Sequence, residues 1–198
     1  MTFFALNLPA TMVAAALIVP FGQQSEEALP AAPETFAATV TISAQGAATG
    51  TVTAPITIQI DRYTPEFARK TMTDALRYRG GYPGFLQALR EAPPAGALEV
   101  GGQKFVIRWA VQEPTDGGRR ISIVTEKPVY FIGSGKAGAK PTAGYEVAVV
   151  LLTMDKSGHG DGTMAAAARV KPRGTTGVEI DDYAEQPVKL TGVTRARG

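Results

Sequence analysis

The sequence predicts a mainly β protein, an antiparallel sandwich or barrel carrying a two-helix hairpin insertion, with an α+β arrangement as the alternative. Three observations predict it. Apolar and polar residues alternate along run after run, and short glycine-rich turns join the runs. One internal stretch, Thr64–Glu91, carries helical periodicity instead. The chain has no cysteine, which excludes disulfides and thiol-ligated metals, yet 198 residues suffice for a core without staples.

Phe3–Phe21 is uncharged and apolar, with Pro9 breaking it. Its uninterrupted part, Ala10–Val19, is too short to span a bilayer comfortably and matches the apolar core of a secretory signal peptide. No Lys or Arg precedes it, so either the start lies upstream or the signal is weak. A buried N-terminal helix is the competing reading. Residues 1–24 are assigned to the signal, 25–34 to a linker with Pro30 and Pro33, and 35–198 to a single domain. Cleavage near Gln24 or around Ala31-Ala32 fits equally.

From Thr35 the period is two. Phe36, Ala38, Val40 and Ile42 face one way, and after a turn at Gln45-Gly46 so do Val52, Ala54, Ile56, Ile58 and Ile60. Pro55 predicts an edge strand or a bulge. Thr64 is placed as a helix cap and Pro65 at the first helical position. Ala68, Met72, Ala75 and Leu76 form one face, with Arg69, Lys70, Thr73 and Arg77 largely opposite. Gly80-Gly81 ends this helix, and a shorter one follows, presenting Phe85, Leu86 and Leu89 before Pro93-Pro94 stops it. Phe67, Met72, Leu76, Phe85, Leu86 and Leu89 are the core candidates of the hairpin.

Beyond Pro94 the chain reads as a meander. Gly101-Gly102 joins Ala97–Val100 to Gln103–Gln112, in which Phe105, Ile107, Trp109 and Val111 point inward. Arg119–Glu126 follows, and Pro128 bends or splits the strand before Val129–Ile132. After the loop 133–143, Tyr145–Met154 reads as a central strand. Thr163–Lys171 is assigned as strand, although TMAAAARV also has high helix propensity. Val178–Asp182 and Val188–Val193 complete the series.

Three segments, RRISIVTEKPVYFIG (Arg119–Gly133), DGTMAAAARVKP (Asp161–Pro172) and GVEIDDYAEQPVKLTGV (Gly177–Val193), resemble in order and spacing a group of uncharacterised secreted bacterial proteins. The resemblance implies export and carries no activity, so no catalytic residue follows from it.

Charge excludes one class of partner. Residues 1–61 carry four acids and no base, whereas residues 62–198 hold all 20 bases and 14 acids. Those bases are dispersed among acids, unlike a nucleic-acid-binding arm. Gly133–Gly138 matches GxGxxG, but no helix begins within it to receive a pyrophosphate. Asp155, His159 and Asp161 alternate along a glycine-rich turn, a spacing compatible with a loose Ca²⁺ or transition-metal site. An EF-hand is excluded, because its twelfth position is Ala166. His159 is the one histidine, and no GxSxG elbow accompanies it, so triad hydrolysis is not indicated. Glu179, Asp181 and Asp182, with Glu185, are the candidate carboxylates for glycosidase-type chemistry. Arg69, Arg77, Arg79 and Tyr82 form a candidate basic, aromatic surface for an anionic ligand. The expectation is an exported, periplasmic or extracellular module that binds a small ligand, a glycan or an envelope protein without catalysis. A carboxylate- or metal-dependent hydrolase is the alternative. Contact with a membrane is expected only through the N-terminal apolar segment, if it is retained.

Overall fold

Phe36, Ala38 and Val40 project from one side of a strand, and that side has to be covered. In the computed structural model, which describes residues 29–44, 50–130 and 142–196, it is covered by closure of the sheet on itself. The elements are β1 (Glu34–Ala44), β2 (Gly50–Ile60), α1 (Glu66–Tyr78), α2 (Gly81–Glu91), β3 (Gly96–Val100), β4 (Gln103–Thr115), β5 (Gly118–Thr125), β6 (Val147–Asp155), β7 (His159–Arg173), β8 (Gly177–Tyr183) and β9 (Val188–Arg195). Strands β1 to β6 pair in chain order, β6 pairs with β7, β7 with β9, and β9 with β1. The result is a closed antiparallel barrel of eight strands, with two helices. Closure rests on Thr41↔Lys189 between β1 and β9 and on Leu151↔Thr163 between β6 and β7.

The barrel is filled by side chains. Phe36, Ile56, Ile58, Leu98, Ile107, Ile121, Leu152 and Met164 meet in its interior, each fully or almost fully buried. An eight-stranded barrel is just narrow enough for side chains to do this. The outer faces of β1, β2 and β9 instead carry exposed Thr39, Thr53, Thr57, Gln59, Lys189 and Thr191. That polarity is opposite to the outward apolar band of a membrane-crossing barrel. Pro55 lies in β2 past the last β3 pair, Ile56↔Val100, so its missing N–H falls where one edge of β2 has no partner.

Strict alternation fails in β4. The register slips between Ile107 and Trp109, leaving Arg108 as the extra residue of a bulge. Ile107 and Ala110 therefore point into the barrel, while Trp109 and Val111, both expected inward, lie on its outer surface. Half-buried Arg108 donates to Glu126 at 2.7 Å and to the Ala92 carbonyl at 2.7 Å.

Trp109 and Val111 are covered by the helical hairpin. Met72, Leu76, Phe85, Leu86 and Leu89 pack with Trp109, Val124, Val147 and Val149 in a second core outside the barrel. Burying a side chain such as Phe85 or Leu89 contributes about 1.5–3 kcal/mol. Gly80, at φ +98°, makes the left-handed turn between the helices. Two expectations for α1 are corrected. Thr64 does not cap it: its hydroxyl accepts from the Ala110 N–H at 2.9 Å, and the helix starts after Pro65. Phe67 is 82% exposed, whereas Thr73 is buried and bonds the Arg69 carbonyl.

Residues 163–170 are strand, held by β6 as far as Ala168 and by β8 from Ala168 onward. Its far end leaves the ring and pairs with β8 as a wing, whose Val170 and Val178 join the second core. Glu34 opens β1 instead of closing a linker, and Ala32 before it packs against the barrel interior. The described part of the expected Val129–Ile132 strand is not strand; Val129 folds into the interior and donates to the Ala166 carbonyl. The assigned signal segment 1–24, the Gln45-Gly46 turn and the GxGxxG match lie outside the described residues.

Candidate functional site

The outer surface of β5, β6, β7 and β9 holds a groove of about 560 Å³. Cross-strand pairing assembles it. Arg120 stands opposite Thr153, Thr153 opposite Asp161, Leu151 opposite Thr163, and Thr163 opposite Lys189. Thr191 is brought in by a bulge in β9, where Gly192 takes φ +61° and the register against β7 shifts. Leu151, Gly162 and Leu190 complete the lining. A Cβ at Gly162 would lie 2.7 Å from the Leu151 carbonyl oxygen, so glycine lets β6 and β7 approach here.

The groove thus offers three hydroxyls, one carboxylate and two cations beside half-buried Leu151. Arg120 is oriented by Glu113, which it contacts at 2.7 Å. Glu113 also accepts from Arg173 of the wing, and that bond is the first cause holding its carboxyl below the usual range. The lining contains one carboxylate, where glycoside hydrolysis uses a pair.

The residues singled out in the sequence are scattered. Asp155 is exposed, and its Oδ1 accepts from the Ser157 N–H, the Ser157 hydroxyl and the His159 N–H at 2.7–2.9 Å. The Ser157 hydroxyl bond comes first among the causes lowering its pKa. His159 is exposed at the same tip, while Asp161 sits further along β7 in the groove. Among the described residues, no three His, Cys, Asp or Glu are grouped so as to hold a metal ion.

The β8 carboxylates stand in ion pairs on the wing. Glu179 lies 3.4 Å from Lys171, and Asp181 accepts from Arg169 at 3.0 Å. Asp182 accepts from the Tyr145 hydroxyl at 2.6 Å, which lowers the carboxyl pKa and raises that of the phenol. None of the three lines the groove. The basic candidates on the hairpin also divide. Tyr82 is structural, its hydroxyl donating to the Ala168 carbonyl at 3.0 Å and accepting from the Glu146 N–H. Arg77 donates to the Gly174 carbonyl of the wing at 2.6 Å, and Arg79 is exposed at the helix end.

Sequence reasoning missed a buried ionic cluster at the barrel end. The Glu34 side chain is fully buried and receives two bonds from Arg119, at 2.7 and 2.8 Å, and one from Arg195 at 2.8 Å. Tyr63 donates to the same carboxylate. Burial first, then this hydrogen bond, pushes the Tyr63 phenol well above its ordinary pKa. Arg119 also donates to Gln112 at 2.6 Å and lies over the Phe36 ring. Burial alone would lower the Arg119 pKa, but its interactions with Glu34 and Tyr63 together more than offset this. A signal existed: Glu34 shares strand parity with Phe36, and Arg119 with Ile121, so both charges had to point inward. Comparison with protein-family models, curated proteins and solved structures finds no match to this chain.

Proposed function

We infer that the protein is a non-enzymatic binding or envelope-accessory module, exported from the cell, that holds a hydroxyl- and charge-bearing ligand such as a glycan segment in the β5–β6–β7–β9 groove. The observation that carries this reading is the contrast between the two surfaces of the barrel. Among the described residues, the interior is occupied by the barrel's own side chains. The outer groove presents Thr153, Thr163, Thr191, Asp161, Arg120 and Lys189 together. Such groups exchange hydrogen bonds with water for hydrogen bonds with a sugar at little cost, and half-buried Leu151 offers an apolar contact beside them. Export is supported by the apolar segment Ala10–Val19.

The test is titration of the isotope-labelled protein with neutral and acidic envelope oligosaccharides, followed by amide chemical shifts. Shifts confined to residues 151–153, 161–163 and 189–191, and reduced by Lys189→Ala, are expected. Shifts confined to the wing, or release of new reducing ends, would favour the hydrolase alternative. Mass spectrometry of the host-purified protein checks export, since an intact Met1 contradicts cleavage.

A further inference from the structure

The outward side of α1 keeps two aromatic rings in water. Phe67 is 82% exposed and Tyr78 is 72% exposed. At about 100° per residue, they fall within roughly 20° of one another on the helix surface, about 16 Å apart along its axis. They lie on the side opposite the buried line of Met72 and Leu76. Exposed Thr71 lies between them, beside the Lys70–Asp74 pair. The Arg77 guanidinium stands 5.8 Å from the Tyr78 ring centroid, and exposed Arg79 follows. Over α1 and its C-cap, Glu66–Arg79, there are four bases and two acids. The helix cannot roll to hide its rings, because Met72, Leu76 and the α2 residues fix its other face on the barrel.

We propose that α1 docks lengthwise on an anionic lipid surface, with Phe67 and Tyr78 entering the headgroup boundary and Lys70 and Arg79 meeting lipid phosphates. Charge complementarity selects an anionic surface. The exposed rings select a bilayer over an acidic polysaccharide, since a soluble polyanion rewards cations and gives Phe67 no apolar medium to enter. Tyrosine suits the interface, where its ring is buried and its hydroxyl stays wet. The exposed Lys70–Asp74 pair does not hold Lys70 back, because surface pairs of this kind are weak. Two rings make the attachment shallow and reversible. This contact is independent of the groove and of the N-terminal apolar segment.

The absence of cysteine gives a direct test. In the full chain, Thr71→Cys carries a single environment-sensitive NBD label. Vesicles of phosphatidylglycerol should shift its emission to the blue, phosphatidylcholine vesicles should not, and high salt should reverse the effect. A label at Thr191→Cys, on exposed β9, should not respond. Adding Phe67→Ser and Tyr78→Ser should weaken vesicle binding by about tenfold or more. Both side chains are exposed, so melting should be unchanged. An unresponsive label at position 71 overturns the proposal. So does an equal response to phosphatidylcholine, or a response to soluble polygalacturonate that survives loss of both rings.

Discussion

Replacing Glu34 by Ala would leave the Arg119 guanidinium buried with Gln112 and Tyr63 as its remaining acceptors, both of them neutral. The Arg119 side chain is 6% exposed and that of Glu34 0%. Removing one member of such a pair costs about 3–5 kcal/mol, because a desolvated charge loses its counter-charge. At this chain length each kcal/mol lowers Tm by about 2–4 °C, so Glu34→Ala should lower Tm by roughly 6–20 °C. Arg195→Ala is a control on the same carboxylate. Its side chain is 40% exposed, and its removal should cost no more than about 1 kcal/mol.

The discriminating variant removes both charges. Glu34→Leu with Arg119→Met returns the site to the apolar character of the barrel interior, leaving the Gln112 carbonyl and the Tyr63 hydroxyl short of partners. That residue of the loss should be about 1–3 kcal/mol, well below the sum of the single variants. Urea unfolding of the parent, Glu34→Leu, Arg119→Met and the double variant, read by circular dichroism, closes the cycle once the transitions are shown to be two-state. A loss below about 1 kcal/mol for Glu34→Ala, or a double variant worse than the sum of the singles, would refute the reasoning.

The other predictions follow from single features. Leu89→Ala, in the core between hairpin and barrel, should cost about 2–5 kcal/mol, whereas Phe67→Ala should stay within about 0.5 kcal/mol; denaturant midpoints compare them. Tyr63 and Tyr82 both have raised pKa values, with burial the first cause in each. The folded state therefore holds their protons more tightly, and stability should be intact below about pH 10 and fall as pH rises beyond it; Tyr63→Phe should blunt the fall seen in alkaline melts. Glu113 has a lowered pKa, chiefly from the Arg173 hydrogen bond, so its contribution is present above the unfolded carboxylate pKa and lost as pH falls through the folded one. Glu113→Gln should remove that part of the acid dependence. Millimolar Ca²⁺ should leave Tm unchanged, because Asp155 Oδ1 already accepts three hydrogen bonds within the turn; a rise would show a ligand bound by the folded state.

Local chemistry was legible in the sequence where one segment decides its own fate. The parity of Phe36, Ala38 and Val40, the Gly80-Gly81 stop and the apolar run of β6 each predict the element that forms. What stayed open or failed depended on partners remote in sequence. A sandwich and a barrel have the same alternation, and the difference lies in the pairing of Thr41 with Lys189, which no local pattern encodes. Trp109 was assigned to the wrong face because the Arg108 bulge inverts parity midway along β4. Thr64 has the chemistry of a cap, yet Ala110 of that same bulged strand takes its hydroxyl. The groove draws its lining from four strands, so each of its polar residues reads alone as an ordinary outward-facing position.

The groove and the helical face are separate surfaces, but they are not mechanically independent. Arg120 lines the groove and Arg173 belongs to the wing, and both are held by Glu113. The wing in turn is tied to α1, since Arg77 donates to the Gly174 carbonyl at its tip. A continuous polar connection therefore runs from the groove through Glu113 and the wing to the helix that carries Phe67 and Tyr78. A ligand that draws Arg120 from Glu113 would leave Arg173 as the sole remaining partner of that carboxylate among these contacts, shifting charge toward the wing. A second route is apolar: Leu151 lines the groove and packs against the core that Met72 and Leu76 form with Trp109.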